Sequence, residues 1–584
     1  MIRIKDHKQQ QLFDPWHFLS PKRRRMLDED WPGLFKEHLL NQLPVEQMAP
    51  HFVQGFGRPS KELHTVLGVL LLQQTMDLSD QAAIEQLCFN IQWHYALNIP
   101  EESDDAKYIS EKTLYTMRQL MIEHELDKVM FETISDKLAL VFEVDTKKQR
   151  IDSVHIRSNM RKLGRIRIFA QTIFKFIVNL KRHHRTLFDA IDSTLIERYW
   201  GKKALASFSL IKPSQSAKTL QLVSADLFDL IEQFKDQPVI CSMHSYKLMQ
   251  RVLSEQCNVA LSDEGANKVD VKKPGDVASS SLQNPSDPDA SFDGHKGQGY
   301  QLQLMETFNP SQDAADRQQT LNLITHVAVQ TACESDARAL VPAIDDTQKR
   351  QRAPKELLAD TLYGSDANQQ AAESANVELI APVQKGSSGN VSFLTGFTFN
   401  DEGYVTTCPY GHSPVRVRYK KKTDRYSALF NKEVCHKCPH IGKCKIEDGK
   451  KGFFLRYSGK QFRLEARRVA ENDEAFIEAY RWRAGIEATI SELDRRTGVK
   501  HLRVRGIPAV RFYATMKAAG LNLLRAGAVR KARRKAGGFS HGIGNMIYAI
   551  ITAIKEPIQR PLGNLVSVFL KTRQFAENEL LMAA

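Results

Sequence analysis

Between Gln298 and Ala381 the spacing of apolar residues switches back and forth between a strand period and a helix period. Tyr300-Gln-Leu-Gln-Leu-Met alternates with period two, Leu321 to Val329 is apolar and β-branched, and Asp336 to Gln348 has helical spacing. Glu356-Leu-Leu-Ala is a short buried-strand candidate, Ser365 to Ala375 a helix, and Val377-Glu-Leu-Ile-Ala a further strand. Such alternation predicts an α/β sheet. An upstream strand candidate, Arg150-Ile-Asp-Ser-Val-His-Ile, precedes a basic helical stretch from about Arg161 to Cys257. Residues 262–293 carry Asp, Gly, Pro, Ser and Lys with almost no large apolar side chains, which predicts an exposed loop or linker.

The region before about residue 140 reads as helical, through Leu34, Phe35, Leu39 and Leu40, then Leu63, Val66, Leu67 and Leu70. Ser110 is an N-cap candidate for a periodic helix that would suit a DNA-binding helical unit, although any short amphipathic helix has the same pattern. The chain has 82 Lys and Arg against 68 Asp and Glu, a net charge of +14. That excess favours a polyanionic partner, because cations that neutralise phosphates release condensed counterions. A composition 42% hydrophobic and 26% charged excludes a wholly disordered, collagenous or low-complexity chain. No apolar stretch approaches the roughly 20 residues that cross a bilayer. The N-terminus lacks the apolar core of a signal peptide, so the expectation is a soluble intracellular protein.

Carboxylates stand out at three places. In Tyr480-Arg-Trp-Arg-Ala-Gly-Ile-Glu-Ala-Thr-Ile-Ser-Glu-Leu-Asp, residues Trp482, Ile486, Ile490 and Leu493 form a core stripe. Tyr480, Arg483, Glu487 and Asp494 lie beside it, and Gly498 is placed to end the helix. A metal could reach Glu487 there; an ordinary i,i+4 ion pair between Arg483 and Glu487 fits the same spacing. Asp152 lies inside the first strand candidate, and Asp360 ends the strand Leu357-Leu-Ala-Asp, where ligands gather in open α/β sheets. Two aspartates and a glutamate would be hard oxygen ligands for Mg²⁺ or Mn²⁺.

Of eight cysteines, four sit close together: Cys408, Cys435, Cys438 and Cys444. They suit a tetrahedral structural Zn²⁺, with His412, His436 and His440 as alternative donors. Cys88, Cys241, Cys257 and Cys333 read as plain buried thiols. Basic residues continue through Arg503, Arg505, Arg525 and Lys531-Ala-Arg-Arg-Lys, as expected for phosphate contacts that carry no sequence information.

The sequence resembles the DDE transposases of bacterial insertion sequences, from the helical N-terminal region to about Arg525. Tyr480, Arg483 and Glu487 match the Tyr-x2-Arg-x3-Glu signature around the family's catalytic glutamate. Ile151-Asp-Ser-Val-His-Ile resembles the first-aspartate strand, and Leu358-Ala-Asp-Thr-Leu-Tyr-Gly-Ser the second. Asp287-Pro-Asp-Ala, His295-Lys-Gly and Gly299-Tyr300 resemble the segment leading into the family's second strand. Ile191-Asp-Ser-Thr-Leu-Ile repeats the first pattern, so Asp192 competes with Asp152, which has the better strand context. The signature's downstream lysine falls at Asp494, leaving Arg495 or Arg496 to take its DNA-contacting role.

The resemblance implies a ribonuclease-H-like mixed sheet flanked by helices, an α-helical N-terminal domain and a small zinc-bound insertion. The expected divisions are 1–140 for the helical domain and 146–525 for the catalytic domain. Within the latter fall a helical and linker insertion at 161–293 and the four-cysteine insertion at 400–450; 526–584 would be a basic tail. Asp152, Asp360 and Glu487 would hold two Mg²⁺ (or Mn²⁺) ions at the element's ends. Hydrolysis would free a 3′-hydroxyl that attacks target DNA, with Tyr480 and Arg483 positioning DNA or orienting Glu487. The expected partners are double-stranded DNA, as terminal repeats and target, and at least a second copy of the chain. The expected place is the bacterial cytoplasm, at the nucleoid. The alternative is a transposase-derived zinc-containing DNA-binding protein without cleavage, favoured by Asp494 alone; a nuclease that cuts without joining is the third reading.

Overall fold

The computed structural model describes residues 2–9, 13–52, 59–261, 267–384, 393–444 and 446–537. The apolar stretch Met546 to Ile554, expected to be helix-capable, lies outside them. The fold is mixed α/β, built on a curled sheet with helices around it.

Six strands make that sheet: β1 (Lys148–Arg157), β2 (Ser291–Asp293), β3 (Gly297–Thr307), β4 (Ile324–Thr331), β5 (Glu356–Ala359) and β6 (Glu378–Ile380). The spatial order is β4-β3-β1-β5-β6, with β2 pairing the start of β3. β3 runs antiparallel to both β1 and β4, whereas β5 and β6 run parallel to β1. β1 therefore carries partners on both edges, and its Ile151, Val154 and Ile156 are buried. Apart from β2, which lies in the segment expected as a loop, the observed strands coincide with the period-two and buried runs of the sequence to within three residues at their starts.

The N-terminal helices include α1 (Leu63–Thr75), α2 (Glu111–Glu123) and α3 (Leu126–Val141). Every residue of α1 is buried, the polar His64, Thr65, Gln73, Gln74 and Thr75 at its two ends included. Ser110 caps α2, its Oγ accepting from Thr113 N at 3.2 Å. These helices share one apolar core with β1, β3 and β4. A 31-residue helix near the end of the described chain, Ile507–Gly537, joins them: Asn522 donates to Ile324 O and accepts from Ile324 N. Residues 526–537, expected as the start of a tail, are the last turns of this helix, and Ala526 and Val529 are buried.

Between β1 and β2 the chain forms a second core from α4 (Arg165–His183), α5 (Pro213–Phe234) and α6 (His244–Gln256). The expectation of an exposed loop over 262–293 is corrected in part. Residues 267–271 pair as a strand with Cys257–Leu261, and Leu282, Asn284, Asp287 and Ala290 are buried. Polar ties hold this segment in place of an apolar stripe: Asp287 accepts from Ser158 Oγ, Tyr300 Oη and Gly506 N.

The cysteine-bearing section is a small antiparallel sheet of β7 (Arg416–Lys420), β8 (Arg425–Phe430), β9 (Glu447–Gly449) and β10 (Gly452–Ser458), in the order β7-β8-β10-β9. It has its own core, which includes Phe397, Ala428, Phe430 and Leu455. Past it, the glutamate segment is not one continuous helix. Arg481–Ala484 is a 3₁₀ turn, and α7 (Gly485–Thr497) follows it, closed by Gly498 in the left-handed conformation at φ +63°. The Ile507–Gly537 helix is α8.

Candidate active site

Register places the two aspartates abreast. Ile151 pairs with Ala359 in the parallel ladder, so the next residues, Asp152 inside β1 and Asp360 just past the end of β5, stand at the same level. Asp152 Oδ1 accepts from Ser153 N at 2.8 Å, and Asp360 Oδ1 accepts from Leu362 N at 2.8 Å to cap the turn Thr361–Tyr363. Glu487 stands in the first turn of α7, two-thirds exposed.

One guanidinium gathers all three carboxylates. Arg483 Nη2 lies 2.7 Å from Asp152 Oδ2 and 3.6 Å from Asp360 Oδ2, while Nη1 lies 3.0 Å from Glu487 Oε1. The i,i+4 pair foreseen between Arg483 and Glu487 is thus one arm of a four-residue cluster. Arg483 is 17% exposed and Asp152 13%, so the cluster's base is buried while Glu487 opens to solvent. Burial pushes the Asp152 carboxyl up from its ordinary value; Arg483 opposes this, and the neighbouring Asp360 and Asp336 add to it. Burial also raises the Tyr480 phenol, which stacks on Phe476 with centroids 5.6 Å apart.

Asp192, the rival of Asp152, is exposed and caps a different helix, accepting from Thr194 N at 3.0 Å. Arg495, Arg496, Arg503 and Arg505 are all exposed, and Arg496 pairs with Glu492 at 2.9 Å. Asp494 turns back onto its own backbone, where its Oδ1 accepts from Lys500 N at 3.0 Å and fixes the turn after α7.

Beneath α7 lies a buried clamp that none of the sequence motifs announces. Glu306 on β3 is fully buried and faces Arg150 across the β1–β3 ladder. Its Oε1 lies 2.7 Å from Arg150 Nη2; its Oε2 meets Arg525 Nη1 at 3.1 Å and Thr489 Oγ1 at 2.7 Å. Arg150 Nη1 donates to Trp482 O at 2.7 Å, a carbonyl of the 3₁₀ turn that also accepts from Gly485 N, and so ties β1 to the turn before α7. A Cβ on Gly485 would sit 2.0 Å from Arg150 Nη1. A glycine inside the expected helix and a glutamate inside an apolar strand were the available clues. Arg525, expected among the phosphate contacts, is instead spent on Glu306 and Glu492.

A second network secures the aspartate strands from the side. Buried Asp336 accepts from Gln301 and Gln303, and Gln303 Oε1 accepts from Tyr363 Oη at 2.5 Å. Tyr363 ends the turn that Asp360 caps, so β3 and that turn are tied together.

The four clustered cysteines face a cavity of about 20 Å³ that Tyr410 and His412 also line. Burial, with the neighbouring thiols adding to it, pushes the Cys435 and Cys444 thiols up. Among the described residues, no three of these sulfurs lie within 4.8 Å of one another, and the same holds for the ligating oxygens around Arg483. Of the remaining cysteines Cys257 is buried, whereas Cys88, Cys241 and Cys333 are part-exposed.

Residues 407–526 match the family described as "Transposase DDE domain", and residues 33–120 match "Transposase domain (DUF772)". These matches support a DDE transposase of insertion-sequence type. The first spans Tyr480, Arg483, Glu487 and the four cysteines; Asp152 and Asp360 fall outside both. No curated protein matches the chain. Transposase families suggest DNA transposition with DNA as partner, and a DDE domain implies a nuclease or transposase enzyme. Domains of this kind generally use divalent metal ions. Among the described residues no helix is long and apolar enough to cross a membrane.

Proposed function

We propose that the chain is a DNA transposase that binds the ends of an insertion sequence, hydrolyses phosphodiester bonds there and joins the freed 3′-hydroxyl to target DNA. The observation that carries this reading is the convergence of Asp152, Asp360 and Glu487 on Arg483. A mixed sheet with β1 central, antiparallel strands on one side and parallel strands on the other, supports a ribonuclease-H-like core.

The donor set is entirely carboxylate oxygen, the chemistry that suits Mg²⁺ or Mn²⁺, and the three groups already surround a positive charge. Two such ions bound there would activate water or a 3′-hydroxyl and stabilise the leaving oxygen. The chain's own contribution is positioning. Asp152 and Asp360 are fixed by neighbouring strands, and the Glu306 clamp seats the helix that carries Glu487. Arg483 orients all three carboxylates, and Tyr480 lies beside them. Arg495, Arg496, Arg503 and Arg505 are exposed cations in reach of phosphates.

The helical region 1–140 would bind DNA, with 146–525 as catalytic domain and 161–293 inserted within it. The section around 400–450 would hold a structural Zn²⁺ through Cys408, Cys435, Cys438 and Cys444 and present cations to DNA. Pairing two element ends calls for a homodimer or larger assembly at the bacterial nucleoid. The non-cleaving alternative rests on Asp494, and the cap that Asp494 makes to Lys500 N gives that residue a structural reason instead. Cleavage of DNA bearing the element's own ends tests the proposal. Asp360→Asn should bind those ends and leave them uncut; cutting by this variant would mean the carboxylates are wrongly assigned.

A further inference from the structure

The N-terminal strap, residues 2–9, lies along the entry to α1. Arg3 N donates to Ser60 Oγ at 3.0 Å, Leu63 N donates to Arg3 O at 3.0 Å, and Lys5 N donates to Glu62 Oε1 at 3.2 Å. This path brings His7 over Glu62, the residue that caps α1 through His64 N and Thr65 N.

His7, Glu62 and His64 have ligating atoms that all lie within 4.8 Å of one another, which no other trio of His, Cys, Asp or Glu among the described residues does. His64 Nδ1 is 3.0 Å from Glu62 Oε1, His7 Nε2 is 3.5 Å from Glu62 Oε2, and the two rings meet edge-on at 5.2 Å. The second observation concerns His7 itself. Its side chain is 2% exposed, its Nδ1 has no hydrogen-bond partner, and its Nε2 has only the long ion-pair contact with Glu62. Leaving a buried polar atom unpaired is costly, and a metal ion would give an imidazole nitrogen a bond. Two imidazoles and a carboxylate are a ligand set that Zn²⁺ uses with a fourth position open. A cavity of about 220 Å³, lined by His7, Glu62, Lys5 and Tyr108, adjoins the trio and has room for that fourth ligand.

We propose that His7, Glu62 and His64 form a site for a borderline divalent transition ion, Zn²⁺ foremost, which pins the N-terminal strap to the start of α1. Imidazole donors separate this site from the all-carboxylate cluster and from the four thiols, so its occupancy is readable independently of both.

The test uses the full chain without a polyhistidine tag, stripped of metal and titrated with Zn²⁺ or Co²⁺. Elemental analysis and the Co²⁺ visible spectrum are compared for wild type, His7→Gln and Cys438→Ser. His7→Gln should lose one ion per chain and weaken Co²⁺ binding at a thiolate-free spectral component by more than about 10-fold, while Cys438→Ser keeps that component. Hydrogen exchange on the wild-type chain needs no variant: Zn²⁺ should slow the amides of residues 2–9. Equal metal content in wild type and His7→Gln would overturn the proposal. So would strap exchange that Zn²⁺ leaves unchanged.

Discussion

Asp152, Asp360 and Glu487 come from a strand, the end of a second strand and a helix spread over the chain, whereas Cys408, Cys435, Cys438 and Cys444 come from turns and one short helix within the single section 400–450. Neither cluster packs three ligating atoms within 4.8 Å, and the reasons differ. The carboxylates are held apart by a protein cation, Arg483, and their supporting elements are locked by a fully buried glutamate between two arginines. The thiols surround a small cavity, and local backbone bonds such as Cys438 N to Cys435 O and Cys444 N to Ile441 O shape their turns. The fold itself therefore assembles the first cluster, while the second would be completed by the Zn²⁺ proposed for it. Charge explains the contrast. Three carboxylates near one another repel and need a permanent counter-charge, whereas neutral thiols do not.

Breaking the first cluster chemically should have the largest effect. Asp152→Asn is expected to lower DNA cleavage on the order of 10⁴-fold or more in a gel assay at saturating Mg²⁺. The same change should leave the metal-free melting temperature at pH 7 equal to or above that of wild type. The sign follows from the raised folded-state carboxyl: the stability linked to Asp152 is present at low pH and lost as pH rises through its folded pKa. Asparagine removes that loss.

Breaking the support is expected to act on stability as well as activity. Glu306→Gln leaves Arg150 buried without its carboxylate and Arg525 with Glu492 alone, so denaturant unfolding should show a loss of about 3–5 kcal/mol. The smallest effect on the carboxylate side should come from attacking the cysteines. Stripping Zn²⁺ with a chelator should speed amide exchange in β7 to β10 by at least about 10-fold and leave β1 and β5 unchanged. Equal acceleration in both regions would erase the comparison.

The period-two run at Tyr300 and the buried run at Glu356 were legible because strand spacing is local. Gly498 was legible for the same kind of reason, a helix end that asks for a left-handed residue. The tie from Arg150 to the 3₁₀ turn at Arg481–Ala484 was not, since it joins residues 332 positions apart through the Trp482 carbonyl. Residues 262–293 read as exposed because Asp287 and Asn284 are buried by polar partners, which leave no apolar trace. Within the site, the signature spacing exposed Arg483 and Glu487, while Glu306 stayed hidden as one acidic residue in an apolar strand. Arg525 looked like a surface cation, and only the packing of α8 against the sheet reveals its internal use.

The measurement that bears most directly on the carboxylate centre compares wild type with Glu487→Gln on DNA carrying the element's flanking ends, with Mg²⁺ or Mn²⁺, reading binding and cleavage in parallel. Specific cuts at the element boundary by wild type, and undiminished binding without cuts by Glu487→Gln, are the predicted result. Cleavage that persists in Glu487→Gln would contradict it and place the reaction elsewhere in the molecule.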